Sequence, residues 1–394
     1  MSRISQSPTD PAFVQNPYDF YARQRASGPM HDWDEYHMPA VFDYDTVNAL
    51  LRDRRFGRDC PEELKTPVAP HIEDFHQVEK YSMLSLDGAP HMRMRALTLR
   101  AFTSRRIARL EPDIIEISNA LIDAFPSGPF DLIPAYATQV PVIIICRLLG
   151  VPEAMAPQLL EWSNTMVAMY QARRDRQIED AAARAATEFA DYIRAYAEEK
   201  RKHPADDLIT ELLAAEEAGE KLTMDELIGT CIVLLNAGHE ATVHTIGNGV
   251  VGLLNHGHAG QWLTPERVDA TVEEVLRHDP PLHIFTRYAF EEAEVLGRTF
   301  KRGDQIALML GAANRDPKVW DNPEAFDPSR PIKTNTSFGA GAHFCIGAPL
   351  ARLELRHTLP ILFQRCPNLK LEGTPEYADL YHFHGLDHLM VSAR

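Results

Sequence analysis

The sequence lacks the cysteine pairs and the long apolar runs that mark several classes of protein. Its 394 residues include only five cysteines, an odd number with scattered spacing, which argues against a disulfide framework and against a zinc site made of paired CxxC motifs. The longest apolar runs, 140–146 and 231–235, are far too short to cross a bilayer, and the amino terminus has no apolar signal-peptide core. We therefore expect a cytoplasmic protein that does not bind membranes.

The chain also has little positive charge. It carries 40 basic against 56 acidic side chains, a formal net charge of −16 at pH 7, whereas sequence-independent binding to nucleic acid requires clustered lysine and arginine. We therefore expect no nucleic-acid partner. With 45% apolar and 24% charged residues, the composition is that of a globular protein that buries enough surface to fold without disulfides.

Helical periodicity dominates the middle of the chain, and short strand-like runs follow it. Apolar residues at three- and four-residue spacings predict the helices, and Thr223 with Glu226 forms a capping-box pattern at the start of the longest one. The stretch 58–85 shows little periodicity, which is typical of a functional or disordered loop. We expect one mainly α domain with a small β portion over residues 1–394. The predicted helices are 17–26, 44–53, 107–125, 136–149, 156–171, 178–202, 208–218, 223–255 and 347–366, and the predicted strands are 40–42, 294–296 and 305–309.

The strongest chemical signal is a glycine-rich segment at 338–347 with the sequence FGAGAHFCIG. Glycines let a backbone approach a flat ligand closely, and a cysteine just before a helix N-terminus lies where the helix dipole favours its thiolate. Such a thiolate is a good axial ligand for haem iron. The alternatives are a buried structural cysteine in a glycine turn, and a zinc site with His343 and Cys345 whose other ligands are not apparent.

The whole segment resembles the cysteine-ligand loop of the cytochrome P450 family at every fixed position. The resemblance implies the cytochrome P450 fold, with haem b lying between the long central helix and this loop. It makes Cys345 the ligand of the iron. The other loop residues that it assigns to cofactor binding are Phe338, Gly339, His343 and Gly347.

Glu274 and Arg277 are three residues apart, so they share a helix face and can pair. By itself such a pair is a common surface feature. The pair lies upstream of Cys345 and is followed by Arg330. In this arrangement it is similar to the family's Glu-x-x-Arg motif with its later arginine partner. The resemblance implies a buried structural triad of Glu274, Arg277 and Arg330 that fixes the cysteine loop.

Four cationic side chains are candidates for binding the haem propionates. His91 and Arg95 are four residues apart at the start of a predicted helix, hence on one face, although each alone is typical of a surface charge. In the family a matching His-x-x-x-Arg holds a propionate, and His343 and Arg287 match other propionate partners. Charge-assisted bonds from arginine to carboxylate explain these residue types.

The segment Ala237 to Thr242, with the sequence AGHEAT, lies in the middle of the long helix. Its small residues leave room for a ligand and Glu240 offers a route for protons, while close helix packing is the alternative. The segment is similar to the oxygen-binding stretch of the family's central helix. It departs from that stretch because Ala241 stands where a threonine hydroxyl is expected, and Thr242 is rotated by about 100°.

Three consequences of this departure remain open. A substrate hydroxyl or an ordered water takes the place of the hydroxyl missing at Ala241, or Thr242 reaches in through a distorted helix, or reducing equivalents are lost as peroxide. We favour the first. Glu240, Ala241 and Thr242 are therefore the candidate catalytic positions.

The sequence contains no flavin or iron–sulfur segment, so we expect electrons from a separate protein, a ferredoxin with its ferredoxin reductase. Six arginines and no acid occur between Gly88 and Leu110. A solvated helix face is one interpretation, and a patch that steers an acidic ferredoxin is the other. The expected docking residues are Arg100, Arg105, Arg106, Arg109, Arg352 and Arg356.

Alignment of motifs with the family assigns a substrate pocket, and polar groups in an apolar pocket favour a mid-sized substrate with a polar handle. We expect a monomeric monooxygenase that hydroxylates, O-dealkylates or epoxidises a small organic molecule. The alternatives are a peroxide-driven peroxygenase and, from a different class, a non-catalytic haem-binding sensor. The assigned pocket residues are Tyr81, Leu84, Val233, Asn236, Ala237, His283, Ile284, His382 and Phe383, with 162–170 as a lid.

Overall fold

The computed structural model describes residues 2–170, 174–217, 219–257, 259–380 and 383–393, and most of these residues are helical. The expected mainly α architecture with a small β portion is confirmed. The helices are Pro11–Gln15 (α1), Tyr18–Ser27 (α2), Tyr44–Leu50 (α3), Glu73–Glu79 (α4), Gly88–Ala101 (α5), Ser104–Ala108 (α6), Glu111–Asp123 (α7), Gln139–Leu149 (α8), Ala156–Val167 (α9), Arg176–Lys202 (α10), Leu208–Ala214 (α11), Met224–His256 (α12), Ala259–Trp262 (α13), Val268–His278 (α14), Leu310–Ala313 (α15) and Ala348–Arg365 (α16).

Most of the strands are short and lie outside the helical core. They are Arg3–Ile4 (β1), Met30–Trp33 (β2), Met38–Val41 (β3), Phe56–Gly57 (β4), Phe130–Asp131 (β5), Glu216–Glu217 (β6), Glu220–Lys221 (β7), Ile284–Ala289 (β8), Ala293–Val295 (β9), Arg298–Phe300 (β10), Gln305–Met309 (β11), Lys370–Leu371 (β12), Glu376–Tyr377 (β13), Leu386–His388 (β14) and Met390–Ser392 (β15). The largest sheet has the order β1-β2-β3-β11-β8-β4. In it β11 runs parallel to β3 and antiparallel to β8, so the sheet brings the amino-terminal strands to the segment that follows α14.

The central helix α12 is surrounded by other helices and contacts α8, α9, α10, α14 and α16. It begins at the predicted capping box, in which the Thr223 hydroxyl accepts from the Glu226 amide and the Glu226 carboxylate accepts from the Thr223 amide. Two orphan amides are thereby satisfied at the start of the helix. In the described part of the chain, no helix combines the length and the apolar character needed to cross a bilayer.

Several predicted elements differ from the structure. The helices predicted over 44–53 and 156–171 end at Leu50 and Val167, and residue 171 lies outside the described residues. The helix predicted over 107–125 is divided into α6 and α7, because Pro112 lies in the first turn of α7 and has no amide to continue the earlier helix. The stretch 58–85 contains α4 and two 3₁₀ turns, Glu62–Leu64 and Pro70–Ile72. The helix predicted over 208–218 ends at Ala214.

Candidate active site

Cys345 lies in the short loop between the 3₁₀ turn Gly341–His343 and the start of α16. Its backbone amide donates to the Phe338 carbonyl at 3.0 Å, which closes the loop on itself. Burial raises the pKa of the Cys345 thiol, and the backbone amides of Gly347 and Ala348 oppose this rise. The sulfur therefore lies beside a helix N-terminus, where the amides stabilise a thiolate.

The cysteine loop requires glycine at position 341. Gly341 has a φ of +69°, in the left-handed region that glycine tolerates best. A Cβ at this position would lie 2.5 Å from the carbonyl oxygen of Leu51. Because that neighbour is backbone, it cannot rotate away as a side chain could, and any other residue would push the loop from the end of α3.

Glu274 on α14 holds the two arginines that the sequence pairs with it. Arg277 makes two hydrogen bonds of 2.7 Å to the Glu274 carboxylate, and Arg330 Nε lies 3.4 Å from Glu274 Oε1. Arg277 also donates to the backbone carbonyls of Asn314, Pro323 and Ala325. The three charges thus fix the segment that precedes the cysteine loop.

A chain of neutral hydrogen bonds continues from α14 into the cysteine loop. Ser337 Oγ donates to the Leu276 carbonyl at 2.7 Å and accepts from Asn314 Nδ2 at 2.8 Å. The Thr336 amide donates to Asn314 Oδ1 at 2.7 Å. Sequence reasoning did not assign these residues to the site, because isolated Ser, Thr and Asn side chains carry no distinctive pattern.

The middle of α12 is open on one side only. From residue 226 to residue 250 every residue is buried except Ala237, which is exposed, and Gly238, Glu240 and Ala241, which are partly exposed. Since other helices surround α12, these small residues face an internal gap. The opening lies at the segment that the sequence assigned to ligand binding.

Four predicted propionate-binding side chains lie near the cysteine loop. The rings of His91 and His343 are tilted by 32° with their centroids 4.1 Å apart, and Arg95 Nη2 donates to the Phe344 carbonyl at 2.6 Å. Burial, followed by the charges of His343 and Arg95, lowers the pKa of His91 to about 4. Arg287 is 2% exposed and donates to the Thr286 carbonyl at 2.8 Å.

Arg58 adds a cation that sequence reasoning missed. Its guanidinium lies over the Phe285 ring at 5.3 Å, and Arg287 lies over the same ring at 5.7 Å. Burial and then the Arg58 charge lower the pKa of Arg287 to about 9. Within the described part of the chain, neither arginine forms an ion pair with a carboxylate, so both lack the partner that a buried guanidinium requires.

The acidic counterpart nearby is Asp87, which is already engaged. Asp87 Oδ1 lies 2.8 Å from His343 Nε2, and Oδ2 accepts from the amides of Arg58 and Asp59. His343 therefore has one ring nitrogen committed to protein. The excess of cations over carboxylates fits a ligand that brings its own carboxylates, as the two propionates of haem do.

Glu240 contacts two histidines of its own helix. Its carboxylate oxygens lie 3.3 Å from His239 Nε2 and 3.5 Å from His244 Nε2. Burial raises the pKa of Glu240, whereas the His244 contact and the charges of His239 and His244 lower it. The lowering is larger, so the pKa of Glu240 lies below its usual value. Glu240 is therefore a carboxylate at neutral pH, able to accept a proton.

Thr242 does not reach the gap. Its hydroxyl donates to the Gly238 carbonyl at 3.0 Å, and the residue is 4% exposed. The expectation that Thr242 takes a catalytic part is corrected by this geometry, because the hydroxyl is used within the helix backbone. Ala241 is partly exposed to the gap and offers no hydroxyl.

The predicted pocket residues are divided between the gap and the protein core. Asn236 is 8% exposed, and its Oδ1 has no hydrogen-bond partner among the described residues. Ala237 opens to the gap, Leu84 is 37% exposed, and Tyr81 is partly exposed. Val233 packs against Met83 and Met94. The Phe383 ring lies 5.9 Å from that of His244.

Two predicted pocket residues are placed elsewhere, and one lies outside the described residues. His283 is fully buried, with its ring nitrogens 3.2 Å and 3.0 Å from the hydroxyls of Tyr18 and Tyr21. Ile284 packs in the apolar cluster formed by the amino-terminal aromatics. Both expectations are wrong because the chain at His283 and at the first residue of β8 directs these side chains toward α2. His382 is among the residues that the structure does not describe.

The predicted lid is in part a packing element. Trp162 stacks on Phe189 and donates to Glu188, so it anchors α9 to α10. Met166 Sδ lies 3.9 Å from Asn236 Nδ2. At the far end Tyr170 donates to Glu79 Oε2 at 2.6 Å, which connects this segment to α4.

Most of the predicted docking arginines form ion pairs with acidic side chains, so they do not make a patch of unpaired positive charge. Arg106 and Arg109 share Asp206, at 2.9 Å and 3.0 Å. Arg352 pairs with Glu273 and Arg356 with Asp269. The acids come from distant parts of the chain, which the local sequence could not show. Arg105 is exposed and forms no ion pair within the described residues, and Arg100 has a partner of its own.

Comparisons with known proteins agree with this geometry. The family model described as Cytochrome P450 matches residues 153–376. The polyketide biosynthesis cytochrome P450 PksS of Bacillus subtilis is 33% identical, covering 100% of this chain and 99% of that protein. The cytochrome P450 monooxygenase PikC of Streptomyces venezuelae is 36% identical, covering 92% of this chain and 87% of that protein. The crystal structure of P450BioI with an acyl carrier protein ligated to hexadec-9Z-enoic acid superposes with a TM-score of 0.90, at 34% identity over 97% of this chain and 100% of that one.

Proposed function

We propose, since the chain belongs to the cytochrome P450 family, that it is a haem-thiolate monooxygenase that inserts one oxygen atom from dioxygen into a small organic substrate. The observation that carries this proposal is the cysteine loop, in which Cys345 lies beside helix amides and the loop is fixed to the Glu274 triad. We also propose that the chain forms a single domain and acts as a monomer in the cytoplasm.

The side chains around the gap fit haem b. Cys345 would bind the iron, with Phe338, Gly339 and Gly347 against the ring, while Ala237 and Ala241 leave space on the opposite face. Bound haem would supply the iron centre that activates dioxygen. The propionates would be held by His91, Arg95, Arg287 and His343, with Arg58 as a further cation.

A ferredoxin with its reductase would supply the electrons. The reaction consumes two electrons and two protons with each dioxygen, so that one oxygen atom enters the substrate and the other leaves as water. Glu240 would hold protons at the edge of the gap, since it is partly exposed there and next to Ala241. Of the predicted docking residues, Arg105 offers the clearest free charge for an acidic partner.

The substrate we propose carries a polar handle. Asn236 directly precedes Ala237, and its Oδ1, which has no partner among the described residues, would accept a hydrogen bond from a hydroxyl or amide. A substrate hydroxyl near Ala241 would replace the hydroxyl that the helix lacks. PksS acts in polyketide biosynthesis by its name, and hydroxylated polyketides have both features.

The test begins with purified holoenzyme. A thiolate-type absorption band of the reduced carbon monoxide complex is expected for the native chain and for Cys366→Ser, and its loss is expected in Cys345→Ser. Cys366 is the control because it is a buried cysteine at the far end of α16, away from the cysteine loop. A normal band in Cys345→Ser would overturn the assignment.

Substrate class is tested by optical titration of the ferric holoenzyme with polyketides, fatty acids, terpenoids and steroids. We expect a spin-state shift with hydroxylated compounds and a weaker one with their deoxy analogues. Product formation must then depend on ferredoxin, its reductase and NADH. Equal product from hydrogen peroxide alone would favour a peroxygenase, and binding without any product would favour a sensor.

A further inference from the structure

Four polar residues, Asn236, Glu240, His244 and Asn248, recur at four-residue intervals along α12, a helix that is otherwise largely apolar over this span. We call them the polar stripe. Residues four apart lie on one side of a helix and drift by about 40° at each step. The stripe therefore winds slowly along α12, past the open segment at Ala237 and Ala241.

Three of the four residues carry buried polar atoms that have no hydrogen-bond partner among the residues that the structure describes. These atoms are Asn236 Oδ1, Asn248 Oδ1 and both ring nitrogens of His244, of which Nε2 makes only the 3.5 Å ion-pair contact with Glu240. His244 and Asn248 are 7% and 4% exposed. Buried polar groups are almost always satisfied by protein or by internal water, so this concentration on one helix face indicates ordered water along it.

One end of the polar stripe reaches a cleft of about 450 Å³. Asn248 lines the cleft together with Asp279 and His384, and the exposed residues Gln15 and Asn255 lie at its outer part. Asn248 Nδ2 donates to the carbonyls of Asp279 and His384 at 3.1 Å and 2.9 Å. The cleft thus brings solvent to within one helical turn of His244.

The other side of His244 faces Glu240, with 3.5 Å between Nε2 and Oε1. The ring is held against the carboxyl-terminal segment, because a Cβ at Gly385 would lie 1.8 Å from Nδ1. Only glycine at 385 leaves room for the imidazole. His244 therefore stands between the cleft and the carboxylate beside Ala241.

We propose that His244 relays protons from the cleft to Glu240, and that the polar stripe is the proton path of this enzyme. One proton arrives at Nδ1 from cleft water, and one leaves Nε2 for the Glu240 carboxylate, with no electron moved. The inference rests on the proposed function, which consumes two protons with each dioxygen. It assigns to His244 the delivery that Ala241 and Thr242 cannot perform.

The charged groups that face His244 agree with this direction of transfer. Glu240 and His239 are the neighbours on α12, and His384 is the neighbour on the carboxyl-terminal segment. Burial, then the charges of Arg315 and His244, lower the pKa of His384 to about 3. His384 is thus neutral, so the path from the cleft runs through water and Asn248.

The first test measures proton exchange without turnover. In the diamagnetic ferrous carbon monoxide holoenzyme labelled with ¹⁵N-histidine, the imidazole N–H signals are assigned by their loss in His244→Gln and His239→Gln. His239 is the matched control, because it touches the same carboxylate at 3.3 Å but is 1% exposed and off the stripe. We expect His244 to exchange with water at least about tenfold faster than His239. Equal or slower exchange would overturn the relay.

The second test uses dioxygen itself as the probe, with ferredoxin, its reductase and NADH. His244→Gln is expected to slow NADH oxidation by about fivefold or more and to raise its solvent deuterium isotope effect, whereas His239→Gln is expected to leave the isotope effect unchanged. Unchanged kinetics in His244→Gln would contradict the proposal. If the His244→Gln variant does not retain haem, the Asn248→Ala variant is used in its place. The His244 signal is then assigned by its proximity to Phe383.

The two proposals fail in distinguishable ways. If native holoenzyme oxidises no NADH with any ferredoxin, the proposed function fails while the exchange measurement still reports on the stripe. If turnover is normal and His244 exchanges as slowly as His239, the monooxygenase assignment stands and the relay is wrong.

Discussion

Glu354 lies on α16 two turns after the cysteine loop, 1% exposed, with Oε1 lacking a partner among the described residues. Burial raises its pKa to about 8, against about 4.3 in an unfolded chain. The folded protein therefore holds a proton on Glu354 at neutral pH that the unfolded chain releases. Between these two pKa values the folded state binds more protons, so stability falls as pH rises.

Glu354→Gln removes this dependence. We expect the free energy of unfolding at pH 7 to rise by roughly 3 kcal/mol relative to the native chain, with little change at pH 4. Urea unfolding of the holoenzyme at both pH values measures the difference. An equal change at the two values would show that titration of Glu354 is not the cause.

Single residues were also where sequence reasoning was least complete. Cys345 and its loop follow from a continuous motif, whereas Arg58 and Asp87 join the site only because β4 and the start of α5 come together in space. Thr242 was misplaced for a different reason. A helix supplies a carbonyl four residues back, and the hydroxyl bonds to it rather than to the gap.

At the scale of elements, α14 is attached to the cysteine loop through buried charge. Arg277→Ala would remove both 2.7 Å bonds to the Glu274 carboxylate, which is 3% exposed, and leave Arg330 at 3.4 Å as its cationic partner. Breaking a buried pair costs about 3–5 kcal/mol. We expect the Arg277→Ala variant to lose bound haem and to be less stable to unfolding. Arg356→Ala is the matched control, since its 2.7 Å pair with Asp269 is exposed and is worth less than about 1 kcal/mol.

Haem content and urea unfolding of the two variants give the answer. Similar losses in both would contradict a special role for the buried pair.

The element boundaries themselves were predictable where periodicity was strong, as in α10, α12 and α16, because each buries a continuous apolar face. The boundaries of α4 were not predictable, because this helix has only seven residues and lies inside a polar stretch. Its position depends on the tertiary packing of Phe75 and Val78.

At the scale of the whole molecule, charge pairing decides which surface can attract a partner. The arginines of α5 and α6 stand without acids in sequence, yet Asp206 neutralises two of them from the loop before α11. Composition showed the local excess of charge. Long-range pairing, which depends on the fold, could not be read from it.

Arg105 provides the remaining test of docking. Arg105→Glu is expected to slow transfer of the first electron from ferredoxin by about tenfold at low salt and less at high salt, with unchanged substrate affinity. Stopped-flow reduction of the substrate-bound enzyme measures the rate. Arg201→Glu, an exposed charge at the end of α10, is the control, and equal slowing in both variants would exclude a local docking surface.

The contact between Gly385 and His244 also constrains how this enzyme can change over generations. A side chain at 385 is incompatible with the imidazole, so mutations at the two positions are epistatic and their order matters. A smaller residue must appear at 244 before anything larger than glycine is accepted at 385. Libraries that randomise the carboxyl-terminal segment alone will return glycine there, and new pocket shapes in this region will be reached only by varying both positions together.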